Sequence, residues 1–133
     1  MEITGGCFCK AIRYRCSLDA AADVAICHCS ECRRSTGGTH VSWLTVPREQ
    51  LQWLTGKPRQ IRTNQYTART FCPDCGTQLS LETTRVPATI DITVCSTDQP
   101  EQLPPGRHIW LRNRLPWVYI DDGLAREEEE NLA

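Results

Sequence analysis

The 133-residue sequence lacks the features that mark membrane and secreted proteins. It has no apolar run close to the roughly 18 residues that a membrane-spanning helix needs, so we expect no membrane partner. The first residues carry neither a basic segment nor an apolar one, and nothing there indicates secretion. We therefore expect a cytoplasmic protein that keeps its thiols reduced.

The sequence also has no excess of either charge. It contains 15 Lys and Arg residues and 16 Asp and Glu residues, so the net charge is −1. A uniform basic field of the kind that drives nucleic-acid binding is excluded, and we expect no nucleic-acid partner. Four of the acidic residues form the run 127–130, so the rest of the chain carries a net charge of +3. Thirteen of the 15 cations are arginines, which bind carboxylates and phosphates in bidentate fashion.

The length fits one domain, and 40% hydrophobic residues can supply its core. We expect this domain to span residues 1–124. The polar, acidic segment 125–133 is predicted to be a disordered C-terminal tail.

The pattern along the chain is mostly that of strands and turns. Apolar residues alternate with polar ones over 12–16 and 90–94, which is typical of half-buried strands. Further strands are predicted at 24–27, 41–46, 51–54 and 79–81. Residues 30–35 have the pattern of a short helix that ends at Gly37 and Gly38. The sequence thus predicts an all-β, or β-dominated, domain with one short helix.

The sequence is rich in cysteine. It contains nine cysteines, which is an odd number and several times the ordinary usage. In a reducing compartment such a count favours metal binding or catalysis over disulfides. Seven of the nine lie in three short motifs: Cys7 and Cys9; Cys27, Cys29 and Cys32; and Cys72 and Cys75. In an extended Cys-x-Cys both side chains leave one face, with Cα atoms about 6.6 Å apart, so both sulfurs can reach one ion. The Cys-x-x-Cys-Gly motif does the same through a tight turn, in which Gly76 can take a positive φ.

Seven thiolates exceed the four that a tetrahedral ion takes, and four plus three is the natural division. The two groups are the three-cysteine cluster (Cys27, Cys29, Cys32) and the four-cysteine cluster (Cys7, Cys9, Cys72, Cys75). The first would leave a coordination position open, as catalytic zinc sites do, whereas the second would be closed and would contribute to folding. Spacing alone leaves other pairings open, and it leaves iron or an iron–sulfur cluster open as the occupant.

These motifs carry a resemblance to a known family. They are Gly5-Gly6-Cys7-Phe8-Cys9, the segment from Cys27 to Gly37, and Phe71-Cys72-Pro73-Asp74-Cys75-Gly76. Three later segments add to them, namely His108-Ile109-Trp110, Pro116-Trp117 and Asp121-Asp122-Gly123-Leu124. In this order the sequence resembles the Gfa family, the glutathione-dependent formaldehyde-activating enzymes, which also includes the centromere protein V domain.

The resemblance implies a zinc-stabilised β-tent of stacked antiparallel sheets with two zinc ions per chain. It implies a structural zinc in the four-cysteine cluster and a functional zinc in the three-cysteine cluster. It also implies a carbon–sulfur lyase activity that joins glutathione, or a similar small thiol, to formaldehyde or a related aldehyde as in S-hydroxymethylglutathione synthesis, or reverses that reaction. Arg33 and Arg34 are candidates for binding a carboxylate of the thiol substrate.

The three histidines and the two cysteines outside the motifs can be explained by structural roles as well as by functional ones. His28 lies between two cysteines of one cluster, so its side chain should point away from a metal that those two share. His40 and His108 could supply a fourth ligand or carry a proton only if the fold brings them to the site. Cys16 and Cys95 are predicted to be small core residues. The alternative function is a zinc-stabilised module that binds protein or nucleic acid without catalysing a reaction.

Overall fold

Strands dominate the computed structural model, which describes residues 1–18 and 21–132. The elements are β1 (Glu2–Gly6), β2 (Arg13–Ser17), β3 (Asp23–Cys27), α1 (Ser30–Thr36), β4 (Val41–Pro47), β5 (Leu51–Thr55), β6 (Arg59–Arg62), β7 (Thr67–Phe71), β8 (Gln78–Thr83), β9 (Thr89–Thr93), β10 (Arg107–Ile109) and β11 (Ala125–Arg126). The prediction of a β-dominated domain with one short helix is confirmed for the described residues. No helix in this part of the chain has the length and apolar character that crossing a membrane requires.

The strands form two sheets. The smaller is antiparallel in the order β1-β2-β5, and the larger has the order β11-β10-β3-β4-β9-β8-β7-β6. The 3-10 turn Arg48–Gln50 carries the chain from β4 in the large sheet to β5 in the small one. The strand pairs are antiparallel, as predicted, except at one side of the large sheet, where β10 runs parallel to both β3 and β11. Since β10 reaches β3 from a distant part of the chain, no tight hairpin forces these two strands to run in opposite directions.

The core takes side chains from both sheets. Tyr14 on β2 packs in one cluster with Leu44 on β4 and Ile92 on β9, and all three are fully buried. Cys16 is buried in the same cluster, as predicted. The prediction for Cys95 is wrong, because this side chain is exposed. A 3-10 turn at Val94–Ser96 ends the alternation of β9, so the position no longer faces the core.

The C-terminal segment packs against the rest of the domain, whereas its composition predicts a disordered tail. β11 pairs with β10, and the amides of residues 110–112 donate hydrogen bonds to carbonyl groups of residues 127–129. Arg107 Nη1 lies 3.1 Å from a carboxylate oxygen of Glu127. Without β11, β10 would be an edge strand with unpaired backbone groups, so the pairing satisfies them. Arg107 also offsets part of the charge of Glu127. Ala133 lies outside the described residues.

Candidate metal centres

The four-cysteine cluster is assembled from two turns that are far apart in sequence. Its four sulfurs all lie within 4.8 Å of one another. Cys9 Sγ is 3.6 Å from Cys7 Sγ and 3.8 Å from Cys72 Sγ. Sulfurs at the corners of a tetrahedron around zinc, with Zn–S bonds of about 2.3 Å, would be about 3.8 Å apart. The cluster therefore has the donor type and spacing to hold a metal ion.

Thr77 connects the two turns of this cluster. In the second turn, Gly76 has φ of +82° and donates its amide to the carbonyl of Cys72 at 2.8 Å. The amide of Phe8 in the first turn donates to Thr77 Oγ1 at 3.0 Å, and Thr77 Oγ1 lies 3.2 Å from Cys75 Sγ. The hydrogen bond from Thr77 lowers the pKa of the Cys75 thiol to about 6. This favours the thiolate, which is the form that binds metal ions.

The three-cysteine cluster lies where β3 passes into α1. Cys27 ends β3, Cys29 is the N-cap of α1, and Cys32 lies in the first turn of that helix. The three sulfurs lie within 4.8 Å of one another, and the amide of Cys32 donates to Cys29 Sγ at 3.2 Å. The Cys27 and Cys32 thiols beside it lower the pKa of the Cys29 thiol to about 2. The same contact with Cys29 raises the pKa of Cys27. The thiolate form of Cys29, at the N-cap of α1, is therefore stabilised by Cys27 and Cys32.

This cluster opens onto a cleft of about 500 Å³. Trp43, Trp110 and Leu81 contribute apolar surface to its walls. Within residues 1–18 and 21–132, the His, Cys, Asp and Glu side chains that lie close enough to share a metal ion here are Cys27, Cys29 and Cys32. A tetrahedral ion bound there would keep one position for a molecule in the cleft, whereas the four-cysteine cluster completes a tetrahedron by itself.

His28 points away from the cysteines on either side of it. Its Nε2 lies 3.0 Å from Nδ1 of His108, whose Nε2 lies 2.9 Å from Asp122 Oδ2. Burial, together with the nearby His108 ring, lowers the pKa of His28 to about 4. His40 packs against the His28 ring at 5.6 Å between centroids and pairs through Nδ1 with Thr39. In the described part of the chain, none of these histidines joins a metal-ligating group.

The arginines near the cleft are not those singled out in the sequence. Arg33 Nη2 donates to the carbonyl of Asn113 at 3.3 Å, and Arg34 is exposed. Both lie in the last turn of α1. The cleft is lined instead by Arg69 and Arg85. Sequence analysis missed Arg69 because β7 was not predicted. The sequence shows a cation at the centre of Thr67–Phe71, just before the Cys72 turn, but this does not indicate a contact with the three-cysteine cluster.

Two carboxyl groups also line the cleft, and sequence analysis missed both. Asp91 lies on β9, and Glu130 comes from the C-terminal segment. Burial raises the pKa of each to about 6. Carboxyl groups with such pKa values can hold or release a proton near neutral pH.

Comparison with known proteins identifies a family and a solved structure with the same fold. A family model described as glutathione-dependent formaldehyde-activating enzyme matches residues 2–113. A Halomonas elongata protein named "Putative glutathione-dependent formaldehyde-activating enzyme" is 26% identical over 141 residues, which cover 100% of this chain and 88% of that protein. A crystal structure of a Rhodobacter sphaeroides protein has the same fold, with a TM-score of 0.62 at 21% identity, and the match covers 93% of this chain and 98% of that one. Because the family model matches most of the sequence, the chain belongs to the glutathione-dependent formaldehyde-activating enzyme (Gfa) family.

Proposed function

We propose that this protein is a zinc-dependent carbon–sulfur lyase of the Gfa type. It joins a small thiol such as glutathione to formaldehyde or a related aldehyde, and it also catalyses the reverse reaction. The observation that carries the proposal is the three-cysteine cluster, which opens onto a cleft and would leave one coordination position of a tetrahedral ion free. The family to which the chain belongs, and the name of its Halomonas elongata relative, support this choice of substrates.

The reaction is an addition across a carbonyl group. A carbon–sulfur bond forms while the carbon–oxygen π bond breaks, and the thiol proton ends on the oxygen. No electrons are exchanged with an outside partner, so no oxidant or reductant is needed. A zinc ion held by Cys27, Cys29 and Cys32 would supply a Lewis acid that favours the thiolate or polarises the carbonyl.

The chain itself has to hold and move the proton. Asp91 and Glu130 line the same cleft as the cysteines, and both have a pKa of about 6. Near neutral pH such a carboxylate can accept the thiol proton and the resulting acid can return a proton to the oxygen. In our proposal these two residues are the general acid–base candidates.

The cleft also has to position the substrates and limit the entry of water. The indole of Trp43 is 4% exposed and packs with Cys27, Cys32 and Ile109 in one buried cluster. This apolar surface beside the thiolates strengthens electrostatic interactions at the reacting atoms, because water is excluded there.

The four-cysteine cluster has a structural role in this proposal. Its sulfurs come from two turns separated by more than sixty residues, and a zinc ion bound by all four would hold the small sheet to the end of β7. A closed site of this kind contributes directly to the free energy of folding. The proposal therefore has two zinc ions per chain, one structural and one functional.

The test is an exchange measurement by NMR. Glutathione and formaldehyde combine spontaneously, so the assay compares exchange rates between free and bound formaldehyde with and without the zinc-loaded protein, at about pH 6, where little free thiolate is present. We expect the protein to accelerate exchange with one or more thiols of a panel. The Cys95→Ser variant, changed at an exposed cysteine outside both clusters, is the matched control and should keep the acceleration. No acceleration with any thiol would favour a zinc-stabilised binding module instead.

A further inference from the structure

Arg69 is a buried cation beside the three-cysteine cluster. It lies at the centre of β7 and is 2% exposed. Its Nη2 is 3.7 Å from Cys32 Sγ, and its Nη1 donates to Ser35 Oγ at 3.1 Å. Its guanidinium carbon is 6.0 Å from the centre of the Trp43 ring. The guanidinium is therefore held in place by α1, which carries Cys32, and by the wall of the cleft.

No carboxylate balances this charge in the part of the chain that the structure describes. The six ion pairs found within residues 1–18 and 21–132 all involve other cations. The Nε of Arg69 has no hydrogen-bond partner there either. A guanidinium stays charged in proteins, and burying such a charge without a counter-charge is costly. The sulfur of Cys32, to which Arg69 Nη2 donates, can carry negative charge as a thiolate.

The charge of a metal-loaded cluster explains why a cation belongs at this position. Three thiolates and one Zn²⁺ have a net charge of about −1, and a single guanidinium beside them brings the total to about zero. We propose that Arg69 is a positioning residue that acts as the counter-charge of the three-cysteine centre and retains its metal ion. This inference rests on the proposed zinc site, but it does not depend on the thiol–aldehyde reaction.

The size of the expected effect follows from the distance. Opposite unit charges about 4 Å apart attract each other strongly even at a surface-like dielectric, and desolvation of the two groups offsets part of that attraction. We therefore expect neutralising Arg69 to weaken retention of the second zinc by about tenfold or more. Retention of the zinc in the four-cysteine cluster should not change, which gives an internal reference within each molecule.

Arg85 offers a matched control in the same cleft. It is exposed, and its guanidinium carbon lies 4.1 Å from the centre of the Tyr66 ring. In the described part of the chain, Arg69 donates one hydrogen bond to the sulfur of Cys32. Arg85 donates none to a cysteine sulfur there. Arg85→Gln removes the same charge from the cleft as Arg69→Gln does, without removing the contact with Cys32.

The experiment titrates the zinc-loaded full chain with a chromogenic chelator and follows the release of both ions. The Cys29→Ser variant identifies the release step of the second zinc. We expect Arg69→Gln to release that zinc at a chelator concentration about tenfold lower than wild type, while Arg85→Gln and Arg69→Lys stay within about threefold. Circular dichroism of each loaded variant verifies folding.

Two results would overturn the proposal. One is release of the second zinc from Arg69→Gln at the wild-type concentration. The other is equal weakening in Arg69→Lys and Arg69→Gln, which would mean that side-chain shape rather than charge matters. If Arg69→Gln does not fold, Arg69→Lys alone decides, and tenfold weakening in it contradicts the proposal. None of these readouts uses the catalysed reaction, so an inactive protein with an Arg69-dependent zinc would refute the proposed function alone.

Discussion

His28 Nε2 and His108 Nδ1 lie 3.0 Å apart, and both rings are buried at the parallel edge formed by β3 and β10. The carboxylate of Asp122 accepts from His108 Nε2 at 2.9 Å, so Nδ1 of His108 is left to accept from His28 Nε2. The amide of His28 also donates to the carbonyl of Ile109 at 3.1 Å. This chain of hydrogen bonds fixes the loop that carries Cys27 and Cys29 to the C-terminal part of the molecule.

Removing the acceptor on His108 should therefore destabilise the fold. His108→Phe leaves the buried Nε2–H of His28 without a partner, at a cost of about 1–3 kcal/mol in the free energy of unfolding. Urea denaturation of the zinc-loaded protein measures this loss. Asp122→Asn keeps an oxygen that can accept from His108, so it should cost less than about 1 kcal/mol. Equal losses in the two variants, or none in His108→Phe, would contradict the hydrogen-bond assignment.

The four-cysteine cluster should be essential for folding. Cys72 is fully buried and its sulfur lies between the two turns. We expect Cys72→Ser to be unfolded, or to lose more than about 3 kcal/mol of stability, because a structural zinc contributes folding energy directly. Thermal denaturation and metal analysis check this. Cys95→Ser, at an exposed cysteine, should match the wild type in both, and a fully stable Cys72→Ser would refute the structural assignment.

The raised pKa of Asp91 predicts a pH-dependent cost to stability. Burial raises this pKa from 3.8 to about 6, while Thr45 donates a hydrogen bond to the carboxylate at 2.8 Å. Since the unfolded chain loses the proton at lower pH than the folded one, stability falls as pH rises from about 4 and the full cost is present above about 6. We expect Asp91→Asn to gain about 1–2 kcal/mol at pH 7.5, and less at pH 5.

Urea denaturation at both pH values measures this gain. Asp121→Asn, at an exposed position, is the matched control and should show no gain. A gain from Asp91→Asn that does not shrink at the lower pH would show that the charge of Asp91 is not its cause.

The docked C-terminal segment predicts slow hydrogen exchange at the amides of residues 110–112, with which it pairs. The amides of residues 110–112 bond to residues 127–129, and the amide of Glu127 donates to the carbonyl of His108 at 2.9 Å. Mass spectrometry should therefore find residues 110–112 protected in the full chain and exchanging at least tenfold faster in a chain that ends at residue 124. Equal exchange in the two chains would favour the disordered tail that the composition predicts.

The sequence was informative where local pattern and ligand chemistry decide the structure. The alternation over residues 12–16 predicts the β2 strand, and the Gly37 signal predicts the end of α1, which the structure caps in the left-handed region at φ of 79°. The count of seven cysteines in three motifs favours a division into four and three, and the family resemblance implies which cysteines belong to each group. The fold brings the same two groups together. Such features depend on neighbours in the chain and on the number of ligands that an ion takes.

Contacts between distant segments could not be predicted in the same way. Arg69 meets Cys32 only because β7 packs near α1, and no local pattern in the Thr67–Phe71 strand indicates that contact. Glu130 reaches the cleft through backbone pairing of a segment whose composition alone predicts disorder. The parallel pairing of β3 with β10 is equally non-local.

The most direct test of the central claim, that the three-cysteine cluster is the catalytic metal centre, is a joint measurement on Cys29→Ser. Zinc content and the NMR exchange rate between glutathione and formaldehyde are determined on the same folded sample. We predict that wild type binds two zinc ions and accelerates exchange, and that Cys29→Ser binds one, stays folded and gives the uncatalysed rate. A folded Cys29→Ser protein that has lost one zinc and still accelerates exchange at the wild-type rate would contradict the account.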